Sequence, residues 1–446
     1  MADMKNQLMS VGAVALLVVG SLSSAAAFGE VIWEAKGVLT EQTPGVSFGT
    51  HDWKGYGKPC PLVKKPYADT ATGCWSVKRV KLPNKAEGKG AYFKFSYDAK
   101  YAYAPGKAGK EVQRCNQGVF FFDRKGNQLP DCYDTMYPDR DGYHYERVLY
   151  AWDEAETVEL FFQKPWNMKE ADHDTCSLEV SNVRIETATW EDAAAYCDRL
   201  CAKLPPVGFR PEGDMTTLIP RTMEALRTGR PWRVVMLGDS IQQDSFHSQF
   251  HALVKREFPR SDVEWILSMR GGTGCWHYIL AENFFPYVVD HKPDLLVIGG
   301  VSNYHEHSDK PNGRDVGPTG SDAMVRVAKL ARERLGCEVL IVNSPLHVDY
   351  RPHEDGDTAE GRPLPKMGFS SRQIGLAEGL ESGYGELRRM CAGAKIQWWD
   401  AYVPCYSWLF ASGLPWQYYS RDYVHSGELG KQVIGRILLS YFTSGK

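Results

Sequence analysis

The hydrophobic pattern of the chain changes its period between residues 190 and 230, and this change constrains the fold more than any other feature. Before it, from about Val31 to Thr187, apolar residues come in short alternating runs separated by turn residues. Ala91 to Tyr97 (AYFKFSY) alternates with period two, as a half-buried strand does. Gly118 to Asp123 (GVFFFD) runs into a turn at Arg124 to Asn127, and Thr157 to Gln163 and Cys176 to Glu186 continue the pattern. Several short strands at this spacing predict a β-sandwich over residues 28–188. Thr189 to Leu204 reads as a helix opening a linker over 189–229, with Pro205, Pro206 and Pro211 behind it. From residue 230 to 446 short apolar strands alternate with helices. The strands are Arg233 to Leu237, Val263 to Ser268, Leu295 to Gly299, Glu338 to Asn343 and Ile396 to Asp400. Helical text covers Ile241 to Phe258, Ser321 to Leu335 and Gly427 to Phe442. Such alternation predicts a parallel sheet covered on both faces.

Residues 1–27 read as a signal peptide. Lys5 gives a positive start, Val11 to Gly20 is apolar, and Ala25 and Ala27 fit an A-x-A cleavage site. The apolar run falls short of the ~20 residues of a spanning helix. The expectation is therefore a secreted or periplasmic protein with no stable membrane insertion after cleavage. A formal charge of -3 offers no field for gathering nucleic acid. Eleven cysteines in an exported chain suggest disulfides. Short separations favour Cys60 with Cys74, Cys115 with Cys132 and Cys391 with Cys405, while Cys197 and Cys201 stand one helical turn apart. No C-x-x-C pair occurs, which argues against zinc.

In a parallel sheet, chemistry collects beyond the carboxyl ends of the strands. Gly238-Asp239-Ser240 follows the first such strand and opens a helix. A serine there has backbone N–H groups beside it that can hold an oxyanion; the plainer reading is a helix cap by Asp239 or Ser240. Asp422 and His425 precede the final helix, three residues apart. A serine nucleophile needs a base, and that base needs an orienting carboxylate, so one short loop can supply both.

Taken together these segments resemble the SGNH/GDSL hydrolase family, in its polysaccharide O-acetylesterase-like branch. Gly238-Asp239-Ser240 matches the nucleophile block and Asp422 with His425 the terminal D-x-x-H block. Arg270 to Trp276 (RGGTGCW) stands where the family has its oxyanion glycine; Gly271 fits best, with Gly272 beside it. Gly299 to Asn303 (GGVSN) stands where the family reads G-x-N-D, with Asn303 displaced along the loop and Ser302 the alternative donor. The resemblance covers residues 230–442. It implies a flavodoxin-like three-layer α/β/α hydrolase domain behind the β-sandwich, with a Ser240–His425–Asp422 triad. The Ser240 and Gly271 N–H groups and the Asn303 side chain would stabilise the oxyanion, and no cofactor or metal is required.

His305 and His307 form an H-x-H in the loop after the third parallel strand. Zinc there would need a third ligand, His347 or His353, and contact with a polar substrate is the preferred reading. Asp239, Trp276, His277 and Ser302 complete the candidate substrate contacts. Export, an added β-rich region and an aromatic content of 12% with 13 tryptophans point to carbohydrate, whose ring faces stack on aromatic side chains. Trp33, Trp53 and Trp75 are candidate platforms. The expected partner is an acetylated polysaccharide or oligosaccharide, de-esterified by a carboxylic ester hydrolase. The rivals are a polysaccharide O-acetyltransferase with the same triad and a non-catalytic glycan-binding protein. The part from about residue 207 is expected to cleave a small ester on its own.

Overall fold

The computed structural model describes residues 29–54, 68–82, 88–103, 115–136, 142–163, 176–299, 320–343, 385–414, 418–421 and 425–446. Residues 1–27, expected to be a leader, lie outside them. The first part holds β1 (Val31–Val38), β2 (Val46–Lys54), β3 (Ala68–Lys81), β4 (Ala91–Tyr103), β5 (Cys115–Phe122), β6 (Cys132–Met136), β7 (Tyr143–Ala151), β8 (Thr157–Gln163) and β9 (Cys176–Ala188). They pair into two antiparallel sheets, ordered β1-β9-β4-β7 and β2-β3-β8-β5-β6. Along β4, Phe93, Phe95, Tyr97 and Ala99 are buried and the residues between them are less so, the period of two that the sequence carries. Those side chains meet the other sheet. Phe93 packs edge-on against Phe121 of β5 at 6.1 Å between centroids, and Tyr97 against Phe162 of β8 at 4.6 Å.

Two helices follow, α1 (Trp190–Cys201) and α2 (Pro220–Thr228). Thr189 and Asp192 close a capping box at the start of α1, and Gly229 ends α2 in the left-handed conformation. The segment that reads as a linker is packed on both sides. Ala193, Ala194, Tyr196, Cys197 and Leu200 of α1 share a buried cluster with Val148 of β7 and with Ala252 and Leu253 further along the chain.

The second part holds β10 (Pro231–Gly238), α3 (Ser240–Phe246), α4 (Phe250–Glu257), β11 (Asp262–Met269), α5 (Cys275–Tyr278), α6 (Ala281–Phe284), β12 (Leu295–Gly299), α7 (Gly320–Leu335), β13 (Glu338–Val342), β14 (Gln397–Trp399), α8 (Tyr402–Ser412) and α9 (Glu428–Phe442). Its five strands are parallel and ordered β11-β10-β12-β13-β14. Numbered in chain order that is 2-1-3-4-5, a doubly wound order that reverses between β10 and β12. Every residue of β12 and β13 is buried, so both faces of the sheet are covered. The helix expected over 241–258 is broken into α3 and α4. Gln249 takes a left-handed φ of 60°, and Ser248 Oγ accepts the Phe250 N–H at 3.3 Å.

One continuous core runs through both parts, from Phe95 and Val119 to Val235 and Leu296. At the junction Trp152 lies between Phe121 (5.1 Å) and Phe246 of α3 (5.6 Å). Glu264 of β11 reaches back to accept from the Gly90 N–H, the Tyr150 hydroxyl and the Asp153 N–H at 2.7–2.8 Å.

Two cysteine expectations fail. Cys115 opposes Met136 and Cys132 opposes Val119, so the strand register holds the two thiols apart, and no disulfide joins them. Cys197, Cys201, Cys391 and Cys405 form no disulfide either. Cys197 instead donates to the Ser248 carbonyl at 3.4 Å. Cys60 lies outside the described residues.

Candidate active site

Gly238 ends β10 where the backbone is crowded. A Cβ there would stand 2.0 Å from the Gly299 carbonyl oxygen of β12 and 2.6 Å from Gln242 Cβ, so only glycine fits. Asp239 then caps α3, its carboxylate accepting the Ile241 N–H at 2.9 Å. Ser240 is the first residue of α3. It therefore stands beyond the carboxyl end of the central strand, where the strand order reverses.

Ser240 Oγ lies 2.8 Å from His425 Nε2, across 185 residues of sequence. Both side chains are half-buried. With Nε2 facing the hydroxyl, the imidazole can accept the serine proton. The loop that carries His425 is closed by a bridge between Ser420 and Ser426 and by the Gly427 N–H, which donates to the Tyr419 carbonyl at 2.7 Å. Asp422 lies outside the described residues.

The neighbouring loop follows β11. Its Arg270 N–H donates to the Gly238 carbonyl at 3.3 Å and to the Tyr278 hydroxyl at 2.9 Å, while that hydroxyl donates to the same Gly238 carbonyl at 2.5 Å. Tyr278 thereby laces the two strand ends together and places Gly271 and Gly272 on the side of the sheet that holds Ser240. Gly272 is exposed with φ of 63° and open space where a Cβ would be. Trp276 is half-buried on α5.

Two of the expected substrate contacts are buried. Asp239 has no exposed surface and serves the helix cap. His277 is also fully buried, within 5.1–5.8 Å of the Trp276, Tyr278 and Tyr287 rings, and burial pushes its pKa down to about 3. It is a neutral core histidine. Ser302, Asn303, His305 and His307 lie outside the described residues, as do His347 and His353. Among the described residues no group of three or more His, Cys, Asp or Glu could hold a metal ion.

Nothing in the residue pattern announces the residues that β6 and its approach bring to this site. Tyr133 of β6 sets its ring 6.5 Å from that of His425, and the Arg421 guanidinium lies 4.1 Å above the Tyr133 ring. Asp131 takes a hydrogen bond from Gln243 of α3 at 2.5 Å, and His247 Nε2 donates to the Asp131 carbonyl at 3.0 Å. Asp134 is buried between Lys431 (2.6 Å) and Arg147 (3.3 Å), cations that hold its carboxyl below the usual range against the opposing effect of burial. The antiparallel sheets thus supply residues beside the Ser240–His425 pair.

No protein-family model and no curated protein sequence matches this chain. Solved structures do. A two-domain esterase active on acetylated mannans aligns with 52% of the chain and 53% of its own length, at 13% identity and a TM-score of 0.35. A carbohydrate esterase family 2 enzyme with a carbohydrate-binding domain, from Corynascus thermopiles (Myceliophthora fergusii), aligns with 89% of the chain and 98% of its own, at 12% identity and a TM-score of 0.29. A GDSL-like lipase from Parabacteroides merdae aligns with 48% of the chain and 96% of its own, at 13% and 0.35. The chain therefore spans about half the length of the mannan esterase. Likeness at this level carries no functional argument, which rests on the side chains themselves.

Proposed function

We propose that the chain is an exported serine esterase that removes O-acyl groups, O-acetyl above all, from a carbohydrate. The observation that carries the reading is the 2.8 Å contact between Ser240 Oγ and His425 Nε2 at the carboxyl edge of a parallel sheet. In the reading, His425 takes the Ser240 proton as the hydroxyl attacks the ester carbonyl, and Asp422 holds the imidazole tautomer. The Ser240 and Gly271 N–H groups, with Asn303, receive the oxyanion. His425 then gives the proton to the leaving sugar oxygen, which departs as the hydroxyl, and water releases the acyl group by the same route reversed. The domain division is a β-sandwich over 28–188 and a three-layer α/β/α hydrolase over 230–446, joined by 189–229. Export rests on the leader pattern of residues 1–27. The carbohydrate assignment rests on that leader, the added antiparallel sheets and the aromatic content.

A fluorophosphonate probe tests the chemistry. It is expected to label the wild-type chain at Ser240 and to leave Ser240→Ala unlabelled. Acetate release from acetylated glycans should be lost to near background in Ser240→Ala and in His425→Ala. The double variant should be scarcely worse than either single one, because the residues act as a unit. Retained esterase activity in Ser240→Ala would overturn the reading. Appearance of acetyl groups on bare glycan, in place of free acetate, would make the enzyme a transferase.

A further inference from the structure

Ser240 and Asp244 stand one turn apart on α3 and share a face of the helix. Asp244 is buried, and both its oxygens serve the loop that carries His425. Oδ1 accepts from Arg421 Nη1 at 2.6 Å, and Oδ2 accepts the Ser426 backbone N–H at 2.9 Å. Arg421 Nη1 also donates to the Ser426 carbonyl at 3.1 Å, and the Arg421 backbone N–H donates to the His425 carbonyl at 3.1 Å. The His425–Ser426 peptide, through its carbonyl and its N–H, and the Ser426 carbonyl beyond it are therefore fixed by Asp244 and Arg421. Lys431 of α9 stands 3.6 Å from Asp244 Oδ1 and 2.6 Å from Asp134, so the clamp is tied in turn to β6. Arg421 and Asp244 are almost wholly buried, where water and salt screen their attraction little.

We propose that the Asp244–Arg421 pair is a positioning device, hanging the loop of His425 from the helix that carries Ser240. The proposal rests on the reading of Ser240 and His425 as nucleophile and base. Two groups from distant parts of a chain meet productively only if the backbones that bear them share a reference. Here one helix provides it: its first residue is the nucleophile and its fifth holds the base. The Asp244 carboxylate is spent on Arg421 and the Ser426 N–H, and its effect passes through the loop backbone. A displacement of about 1 Å in such a pair is enough to lower the rate about 100-fold.

The test uses the full chain with p-nitrophenyl acetate, active sites being counted with the fluorophosphonate probe. Asp244→Asn keeps the side-chain shape and an acceptor for Ser426 but removes the charge that Arg421 faces. Arg421→Lys keeps the buried charge and gives up the planar group that spans Asp244, Ser426 and the Tyr133 ring. Each is expected to lower kcat per folded chain by about 10–100-fold, with KM changed by less than about threefold. Probe labelling should slow in parallel, in samples whose thermal unfolding begins well above the assay temperature. If Asp244→Asn fails to fold, Arg421→Lys decides alone. An active wild type with unchanged kcat in the folded variants, whatever their melting temperature, would overturn the clamp and leave the esterase reading intact. A wild type inert to both ester and probe would overturn the esterase reading itself.

Discussion

Asp131 is a carboxyl group in an unfavourable place. It is 1% exposed, and burial raises its pKa to about 6 against the opposing pull of the Gln243 hydrogen bond and of Arg421. Between that value and the ordinary one near 3.8, the folded chain binds a proton that the unfolded chain does not. Stability from this group therefore falls as pH rises from about 4 to about 6, and above that the charge opposes folding by an amount of order 3 kcal/mol. Asp131→Asn, whose amide oxygen can still accept from Gln243, should raise the stability at pH 8 and leave it unchanged below pH about 4. Urea unfolding at the two pH values checks this, and an equal effect at both would remove the charge from the explanation. Residues of this kind are invisible in sequence because their roles depend on partners over a hundred positions away. Ser240 and His425 were legible since their chemistry demands each other. Asp244 left a trace, one turn after Ser240, but a carboxylate at that spacing is ordinary until its partner Arg421 is placed. Tyr133 and Asp134 left none.

Among the elements, β10 decides how tightly the site is built. Its last residue, Gly238, lets β12 approach so that the Gly299 carbonyl occupies the space a side chain would take. Gly238→Ala should force the two strands apart at the turn into Ser240, destabilising the chain by roughly 1–3 kcal/mol and lowering kcat with it. Urea unfolding and esterase assays measure both, and an unaltered variant would mean that the strand ends tolerate separation. The five parallel strands were legible because each is a short apolar run, and burial on both faces asks for nothing else. The break between α3 and α4 was not, since Gln249 is no usual left-handed residue and nothing near it announces a turn. The disulfide between Cys115 and Cys132 was inferred from short separation in sequence, whereas the strand register decides which side chains face each other.

At the scale of the whole molecule, the two parts share their core and several buried charges. The fragment from about residue 207 would lose Trp152 from beside Phe246, Phe121 from beside His247, and Asp134 from beside Lys431. A cation stripped of its nearest partner and an uncovered apolar face destabilise strongly. Contrary to the expectation from sequence, that fragment should aggregate or lack a cooperative melt and show no activity on p-nitrophenyl acetate. Circular dichroism and esterase assays on the fragment check this, and a soluble active fragment would make the junction dispensable. The division of the chain by period was legible; the dependence of one part on the other was not, because exposed and interface strands alternate alike. The 185-residue gap between Ser240 and His425 also has a consequence in time. In the proposed reading, at a synthesis rate of about 5–20 residues per second, the nucleophile is made roughly 10–40 s before its base. During that interval Ser240 is an ordinary alcohol. In that reading the nascent chain stays silent towards esters until its closing loop arrives, with no inhibitory segment needed to keep it so.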